Sequence, residues 1–341
     1  MVSSRFILPL FAALVLIGAL RPAVAADSAV IFMYHRFGEG RYPSTSIALE
    51  QFDAHLQEIA RGQYNVMPLP EIVAAFRRKE ALPDRTIAIS IDDAFSSVFD
   101  EAWPRLRKAG LPFTLFVATE AIDAGRPGYM SWAQIRELTT AGVTIGSQTA
   151  HHPHLPDISD EALLAELNDA NARFNDEVGF VPKLLAYPFG EFGTREKRAS
   201  EQVGFIAAFG QHSGVAYANA DLFGLPRFAM NETFGSVQRF RLAANALPLR
   251  VYDVTPDDTV LRRQNPPAFG FTVEEGMGGL SRLACFSSNQ QGAARIERLG
   301  ARRMEVRIEN KYEPGRGRIN CTMPAGGDRW RWFGMQFYIP K

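Results

Sequence analysis

The sequence predicts an α/β fold: a distorted (β/α) barrel of the seven-fold type, followed by a small antiparallel β domain. From residue 29 to residue 247, short apolar runs alternate with segments of helical periodicity, which is typical of parallel α/β folds. Roughly seven strand–helix pairs in about 220 residues favour a barrel, with an open doubly wound sheet as the alternative. Beyond Pro248 the pattern changes to alternating strands.

The first element is a predicted secretory signal, residues 1–25. Arg5 comes early, an apolar stretch runs from Phe6 to Leu20, and Ala23-Val-Ala25 forms a small-residue cleavage pattern. We expect the mature protein to be exported, to the periplasm or outside the cell. An uncleaved anchor is the alternative, although the apolar stretch is shorter than the ~20 residues that span a bilayer.

Charge and composition exclude some function classes. Lys and Arg number 37, and Asp and Glu number 37, so the chain is formally neutral. A nucleic-acid footprint or an electrostatic membrane patch needs excess basic charge, so we expect neither nucleic-acid binding nor strong membrane association after signal cleavage. With 46% hydrophobic residues, the chain is long enough for one large domain and a smaller one.

The barrel is predicted for residues 29–247. Its strands are expected at six apolar runs: Val30–Tyr34, Thr86–Ile91, Phe113–Val117, Val143–Gly146, Leu184–Ala186 and Phe205–Phe209. Helices are expected between them, including Ala162–Val178 and a helix that begins at Ser131 with the spacing of a capping box. His55 falls in a helical pattern and is expected to be an ordinary surface residue.

Residues 248–264 are predicted as a linker and residues 265–341 as the small β domain. Export makes a disulfide between Cys285 and Cys321 the favoured state of the two cysteines, with two buried free thiols as the alternative. The aromatic cluster Trp330, Trp332, Phe333 and Phe337 is interpreted as core packing rather than as a sugar-stacking platform.

Polar clusters follow four of the predicted strands. They are His35, the doublet Asp92-Asp93, Gln148 with His151, His152 and His154, and the segment Tyr187-Pro-Phe-Gly190. Because the carboxyl ends of parallel strands meet at one rim, these side chains are expected to lie together. An Asp after a strand can also serve as a helix N-cap, but a cap needs only one carboxylate.

The residue types at this rim favour metal-assisted hydrolysis. They include carboxylates and imidazoles, but no nucleophile elbow and no Gly-rich phosphate loop. A divalent metal, with zinc favoured, accepts such ligands and lowers the pKa of a bound water. One Asp of the doublet would bind the metal while its neighbour takes the proton, and backbone N–H groups around Tyr187 would stabilise the oxyanion.

These segments resemble a known family. Ser90-Ile-Asp-Asp93, Gln148-Thr-Ala-His-His152-Pro and Ala186-Tyr-Pro-Phe-Gly190 are similar to the first three motifs of the polysaccharide deacetylases, the NodB-homology carbohydrate esterases. Met33-Tyr-His35 resembles the branch that acts on exported poly-N-acetylglucosamine, in which the order of the motifs is circularly permuted. The likeness covers about residues 29–240, and the C-terminal β domain has no counterpart in it.

The resemblance implies roles for individual residues. Asp92 matches the general base, Asp93 the metal-binding carboxylate and His152 a histidine ligand, while His35 is the candidate general acid. Tyr187, Pro188 and Phe189 would form a substrate-binding wall and the oxyanion donor. Arg227, grouped with this wall, would orient Asp92.

One position departs from the family pattern. Gln148 stands where the family has a histidine ligand, four residues before His152, and an amide oxygen is a poorer zinc ligand than imidazole. Three outcomes stay open: Gln148 coordinates weakly, His151 or His154 replaces the missing imidazole, or the site works without tightly held metal. His212 is a reserve candidate for the general acid.

The leading hypothesis is a metal-dependent, exported deacetylase of an N-acetylated amino-sugar polysaccharide, with an acetylated glycan as its partner. Two rivals stay open. One is a metal-independent amidohydrolase on the same scaffold, and the other is a catalytically degenerate domain that binds glycan without cleaving it.

Overall fold

The computed structural model describes residues 25–341, so almost all of the predicted signal segment lies outside it. Six parallel strands form a curled sheet in the spatial order β6-β5-β4-β3-β2-β1, and the predicted barrel-like α/β class is confirmed. The strands are β1 (Ser28–Tyr34), β2 (Thr86–Ile91), β3 (Thr114–Val117), β4 (Thr144–Ser147), β5 (Leu184–Ala186) and β6 (Ala207–Phe209).

Helices cover the outside of this sheet. They are α1 (Leu49–Arg61), α2 (Leu69–Arg78), α3 (Trp103–Lys108), α4 (Thr119–Asp123), α5 (Trp132–Thr140), α6 (Asp160–Val178), α7 (Thr194–Gln202) and α8 (Val237–Ala244). Every residue of β2 is buried, because a parallel strand between helical layers has no face toward water. Ser131 caps α5 as its spacing predicts, accepting a hydrogen bond from the backbone N–H of Gln134.

Shorter elements complete the barrel region. Short strands lie at Ala25–Ala26, Arg36–Phe37, Ser46–Ile47, Asn65–Val66, Leu82–Pro83, Ala216–Tyr217 and Phe228–Ala229. A π-helical turn spans Val98–Ala102, and 3₁₀ turns span Leu155–Asp157 and Pro188–Gly190.

The segment 225–229 bridges the two ends of the curled sheet. Leu225 forms a parallel bridge with Phe209 at the end of β6, and Phe228–Ala229 pairs in parallel with β1. Arg227 lies between these two attachments. Its side chain is therefore held at the barrel wall, and it is completely buried.

The prediction that His55 is a surface residue is wrong. Its imidazole is fully buried on the face of α1 that also buries Phe52 and Ile59, at helical spacings of three and four residues. The hydroxyl of Tyr34 lies 3.0 Å from Nδ1, and Nε2 lies 2.8 Å from the carbonyl oxygen of Gly235. Burial lowers the pKa of His55 to about 4.

The C-terminal region forms a second, eight-stranded sheet. Its spatial order is Leu247–Pro248, β8 (Arg329–Ile339), β7 (Gly315–Gly326), Ala284–Ser287, Ala293–Leu299, Arg303–Arg307, Phe269–Val273 and Val251–Thr255. A 3₁₀ turn spans Leu280–Arg282. The strand Val251–Thr255 falls within the segment 248–264 predicted as a linker, and the domain boundaries stay a prediction.

The predicted disulfide between Cys285 and Cys321 is confirmed, and it joins two adjacent strands of this sheet. Phe337 lies in the core of the sheet and Phe333 packs against that core, whereas Trp332 packs edge-on against Phe228 of the barrel. Within residues 25–341, no helix combines the length and the hydropathy needed to cross a bilayer.

Candidate functional site

The strand ends bring the predicted polar residues to one rim of the barrel. His35 follows β1, Asp92 and Asp93 follow β2, and Gln148 follows β4. Tyr34 and Ile91 are paired across the sheet, so the residues after them are neighbours. Strand order thus places side chains from distant parts of the chain next to each other.

Asp92 and Arg227 form a fully buried ion pair. Arg227 donates from Nη1 to Oδ1 of Asp92 at 2.7 Å and from Nη2 to Oδ2 at 2.8 Å. The guanidinium also donates to the hydroxyl of Ser90 and to the carbonyl oxygen of Gly210. A bidentate pair of this kind fixes the orientation of the carboxylate. Arg227 is therefore placed to orient Asp92, and its burial keeps it from contact with a substrate.

His35 lies on the solvent side of this ion pair. Its Nε2 is 3.9 Å from Oδ2 of Asp92, which is longer than a hydrogen bond. The side chain of His35 is 13% exposed, whereas that of Asp92 is not exposed at all. Of the two groups, His35 is the one that a solvent-borne molecule meets first.

Asp93 and His152 lie side by side in the wall of a cavity of about 360 Å³. Oδ1 of Asp93 is 3.6 Å from Nε2 of His152, and the two side chains are 19% and 24% exposed. Desolvation lowers the pKa of His152, and the nearby carboxylate of Asp93 partly opposes this. Phe189, Tyr129 and Arg126 also line the cavity, which gives it both apolar and charged walls.

The buried side chain of Gln148 forms hydrogen bonds with both Asp93 and His152. Its Oε1 accepts a hydrogen bond from the backbone N–H of Asp93 at 3.1 Å, and its Nε2 lies 3.2 Å from Nε2 of His152. Because a backbone N–H needs an acceptor, the amide oxygen must face Asp93 and the NH₂ group must face His152. The lone pair of His152 Nε2 therefore accepts a hydrogen bond from Gln148.

The predicted zinc site of Asp93, His152 and Gln148 does not fit this geometry. Oδ1 of Asp93 and Nε2 of His152 are 3.6 Å apart, so both could lie ~2 Å from one ion. The third position presents an N–H group, which has no lone pair for a cation. Within residues 25–341, no group of three His, Cys, Asp or Glu side chains is placed to hold a metal ion.

The other histidines do not supply the missing imidazole. His151 is mostly exposed and its Nδ1 lies 2.7 Å from Glu166, while Nδ1 of His154 lies 2.6 Å from the buried Glu191. His212 lies in a separate cavity of about 340 Å³ between the barrel and the C-terminal sheet. Burial lowers its pKa to about 3, which does not suit a general acid near neutral pH.

The segment Tyr187–Gly190 contributes only part of the predicted wall. Phe189 lines the cavity, and its ring lies edge-on to His152 at 4.5 Å between centroids. Tyr187 is fully buried, its hydroxyl donates to the carbonyl oxygen of Phe223, and its backbone N–H donates to Phe209. Tyr187 is therefore neither a wall of the cavity nor an oxyanion donor, and Pro188 is buried beside it.

Left-handed backbone conformations concentrate around the cavity. Five non-glycine residues of the site segments have φ between 53° and 73°: Asp93, Ala94, Thr149, His152 and Phe189. Each costs of order 1–3 kcal/mol unless its surroundings hold it, and such residues cluster at active sites. The loops after β2, β4 and β5 are thus built for a specific side-chain arrangement.

Sequence reasoning missed two residues that support the site. Ser90, whose hydroxyl accepts from Arg227 and donates to the carbonyl oxygen of Phe32, holds the base of the ion pair. Gln336, on β8, donates to the backbone of Phe189 and Gly190. A hydroxyl between two isoleucines, next to the Asp doublet, was a signal for Ser90, whereas nothing local marks Gln336.

Comparison with known proteins agrees with the fold and the motifs. Residues 79–208 match the family model of the polysaccharide deacetylases. The poly-beta-1,6-N-acetyl-D-glucosamine N-deacetylase of Staphylococcus aureus (strain MRSA252) is 19% identical over 215 residues, which are 59% of this chain and 73% of that protein.

Solved structures show the same fold. The Streptococcus pyogenes deacetylase PplD in complex with acetate has a TM-score of 0.59 at 19% identity, covering 64% of this chain and 98% of that one. IcaB from Ammonifex degensii has a TM-score of 0.56 at 22% identity, covering 64% and 97%. At these identities the likeness concerns the fold alone, and it stops short of the whole chain.

Proposed function

We propose that the protein is a polysaccharide deacetylase that removes N-acetyl groups from an amino-sugar polysaccharide, because residues 79–208 match the model of that family. The observation that carries the proposal is the convergence of His35, Asp92, Asp93 and His152 at one rim of the barrel. The similarity to a poly-β-1,6-N-acetylglucosamine deacetylase favours that polymer as the substrate class.

The site supplies groups for hydrolysis of an amide. Asp92, held by Arg227, takes the proton of an attacking water on the side of Oδ2. His35, 3.9 Å from that oxygen, gives a proton to the leaving amine. Such transfers typically contribute ~10²–10⁴-fold each. Asp93 and His152 line the cavity and would orient the acetamido group against Phe189.

Export is part of the proposal. The predicted signal segment directs the protein across a membrane, and the Cys285–Cys321 disulfide suits an oxidising compartment. The polymer and the protein would then meet outside the cytoplasm.

Release of acetate tests the proposal. Purified wild-type protein is incubated with β-1,6-linked N-acetylglucosamine oligomers, and acetate is measured with an enzymatic assay. Wild type should release acetate, and Asp92→Asn should lose at least ~100-fold of that rate because the proton acceptor is removed. Asp169→Asn, the same change on the exposed face of α6, is the matched control. Circular dichroism establishes that each variant is folded.

A second candidate function is glycan binding without cleavage. It is favoured by the complete burial of Asp92 and by the amide N–H of Gln148 at the third ligand position. Binding of the oligomers by a wild-type protein that releases no acetate would establish this function and refute the first.

A further inference from the structure

The C-terminal sheet reaches the candidate site at the turn 188–190, where the side chain of Gln336 donates two hydrogen bonds to the backbone. We propose that Gln336 is a positioning residue, which holds the turn 188–190 so that Phe189 keeps His152 in place. The proposal rests on the deacetylase function proposed for this site. It assigns the C-terminal sheet a part in catalysis.

The amide of Gln336 has three hydrogen bonds. Its Nε2 donates to the carbonyl oxygens of Phe189 at 3.0 Å and of Gly190 at 2.9 Å. Its Oε1 accepts from Nε of Arg318 at 2.9 Å. Both N–H groups are therefore used on the turn, and Arg318 fixes which end of the amide faces it. Gln336 is only 4% exposed, so water does not compete readily for these bonds.

The turn needs such a partner. Phe189 adopts a left-handed conformation with φ of 56°, which is costly for a residue with a side chain. Gly190 also has positive φ, and a Cβ there would lie 2.4 Å from the backbone nitrogen of Gln211. Two adjacent carbonyl groups in a tight, buried turn must be paired with donors. Gln336 supplies both donors from outside the barrel.

The turn 188–190 also supports the candidate site, through the ring of Phe189. The ring of Phe189 lies 4.5 Å from that of His152, edge-on, and 4.3 Å from that of His154, stacked. The imidazole of His152 is held by this ring contact together with the hydrogen bond from Gln148. A shift of Phe189 would therefore move the imidazole that faces Asp93. A misplacement of ~1 Å can cost about 100-fold in rate.

Strand register explains why Gln336 reaches the barrel. Alternate residues of a strand point to opposite faces, and Phe337 is buried in the core of the C-terminal sheet. Gln336 consequently points away from that core, toward the barrel. Arg318 is its direct partner across the β7–β8 hairpin and lies on the same face.

The experiment compares two glutamine-to-methionine variants of the full chain. Gln336→Met keeps the side-chain length and removes both donors. Gln290→Met makes the same change elsewhere in the C-terminal region, where Gln290 accepts one hydrogen bond from the backbone of Glu309. Acetate release gives kcat and KM, and hydrogen exchange reports the amides of Gly190 and Glu191, which are bonded within the turn.

We expect Gln336→Met to lower kcat by about 10–100-fold with a smaller change in KM, because the reacting groups are misplaced while the cavity persists. The amides of Gly190 and Glu191 should exchange faster. Gln290→Met should match the wild type in both measurements. Gln336→Glu, which keeps the acceptor for Arg318 but lacks the donors, should behave like Gln336→Met.

Three results would overturn the proposal: unchanged exchange in the turn, faster exchange with unchanged kcat, or an equal loss of kcat in Gln290→Met. If the wild-type protein releases no acetate, the proposed function fails. The exchange rates would then still decide whether Gln336 holds the turn.

Discussion

Changing Gln148 to histidine should create a zinc site that the wild-type residues do not form. The donor atoms Oδ1 of Asp93 and Nε2 of His152 are already 3.6 Å apart, a separation that one ion can bridge. In the wild type, a cation must break the hydrogen bond from Gln148 to His152, which contributes ~1 kcal/mol, and gains no third ligand.

The expected size of the effect follows from that comparison. Loss of an outer partner of a metal ligand costs ~10–100-fold in affinity, so gain of a direct ligand should exceed this. We expect Gln148→His to bind zinc at least ~100-fold more tightly, or ~2.7 kcal/mol. A titration against a chromophoric chelator near neutral pH measures both dissociation constants.

Two control variants make the result specific. Adding His152→Ala to Gln148→His should abolish the gain, because the ion then loses one of its ligands. Gln148→Met removes the competing N–H group without adding a ligand and should give only a small part of the gain. An unchanged dissociation constant in Gln148→His would refute the placement of Gln148 beside the two donors.

Three further predictions concern stability. Cys321→Ser removes a disulfide that links residues 36 positions apart. The free energy of unfolding measured by chemical denaturation should therefore fall by about 4 kcal/mol, while acetate release stays unchanged. Arg227→Met leaves the buried Asp92 without its partner and should lower the free energy of unfolding by ~3–5 kcal/mol, whereas Arg78→Met, at an exposed ion pair, should leave stability close to that of the wild type. Burial lowers the pKa of His55 to about 4, so the neutral imidazole stabilises the fold above its ordinary pKa of 6.5, and this stabilisation is lost as the pH falls toward 4. Between pH 6.5 and pH 4, the free energy of unfolding of His55→Gln should therefore fall by about 3 kcal/mol less than that of the wild type. An unchanged pH dependence would contradict this.

Much of the barrel could be predicted because its signals are local. The run Thr86–Ile91 is mostly apolar and forms a strand buried along its whole length. The strand Val251–Thr255 was missed because none of its residues is fully buried and it lies between Pro248 and Pro256. Its pairing with Phe269–Val273 depends on a partner strand that no local pattern reveals.

The candidate site likewise has residues whose positions could be predicted and residues whose roles depend on distant partners. The positions of Asp92 and Asp93 at the rim follow from strand order, which the alternation of strands and helices already indicates. The role of Gln148 could not be read from its spacing to His152, because the orientation of its amide depends on the backbone N–H of Asp93, 55 residues away. Gln336 was missed for a similar reason, since its partners lie in the other sheet.

The measurement that tests the central claim most directly is a double-mutant cycle between Asp93 and His152. Acetate release from N-acetylglucosamine oligomers gives kcat/KM for Asp93→Asn, His152→Gln and the double variant. Since the two side chains face each other at 3.6 Å in one centre, their effects should couple by at least ~1 kcal/mol, so the double variant should lose about five-fold less than the product of the single losses. Losses that simply multiply would show that the two residues act independently, and would contradict a single hydrolytic centre at this rim.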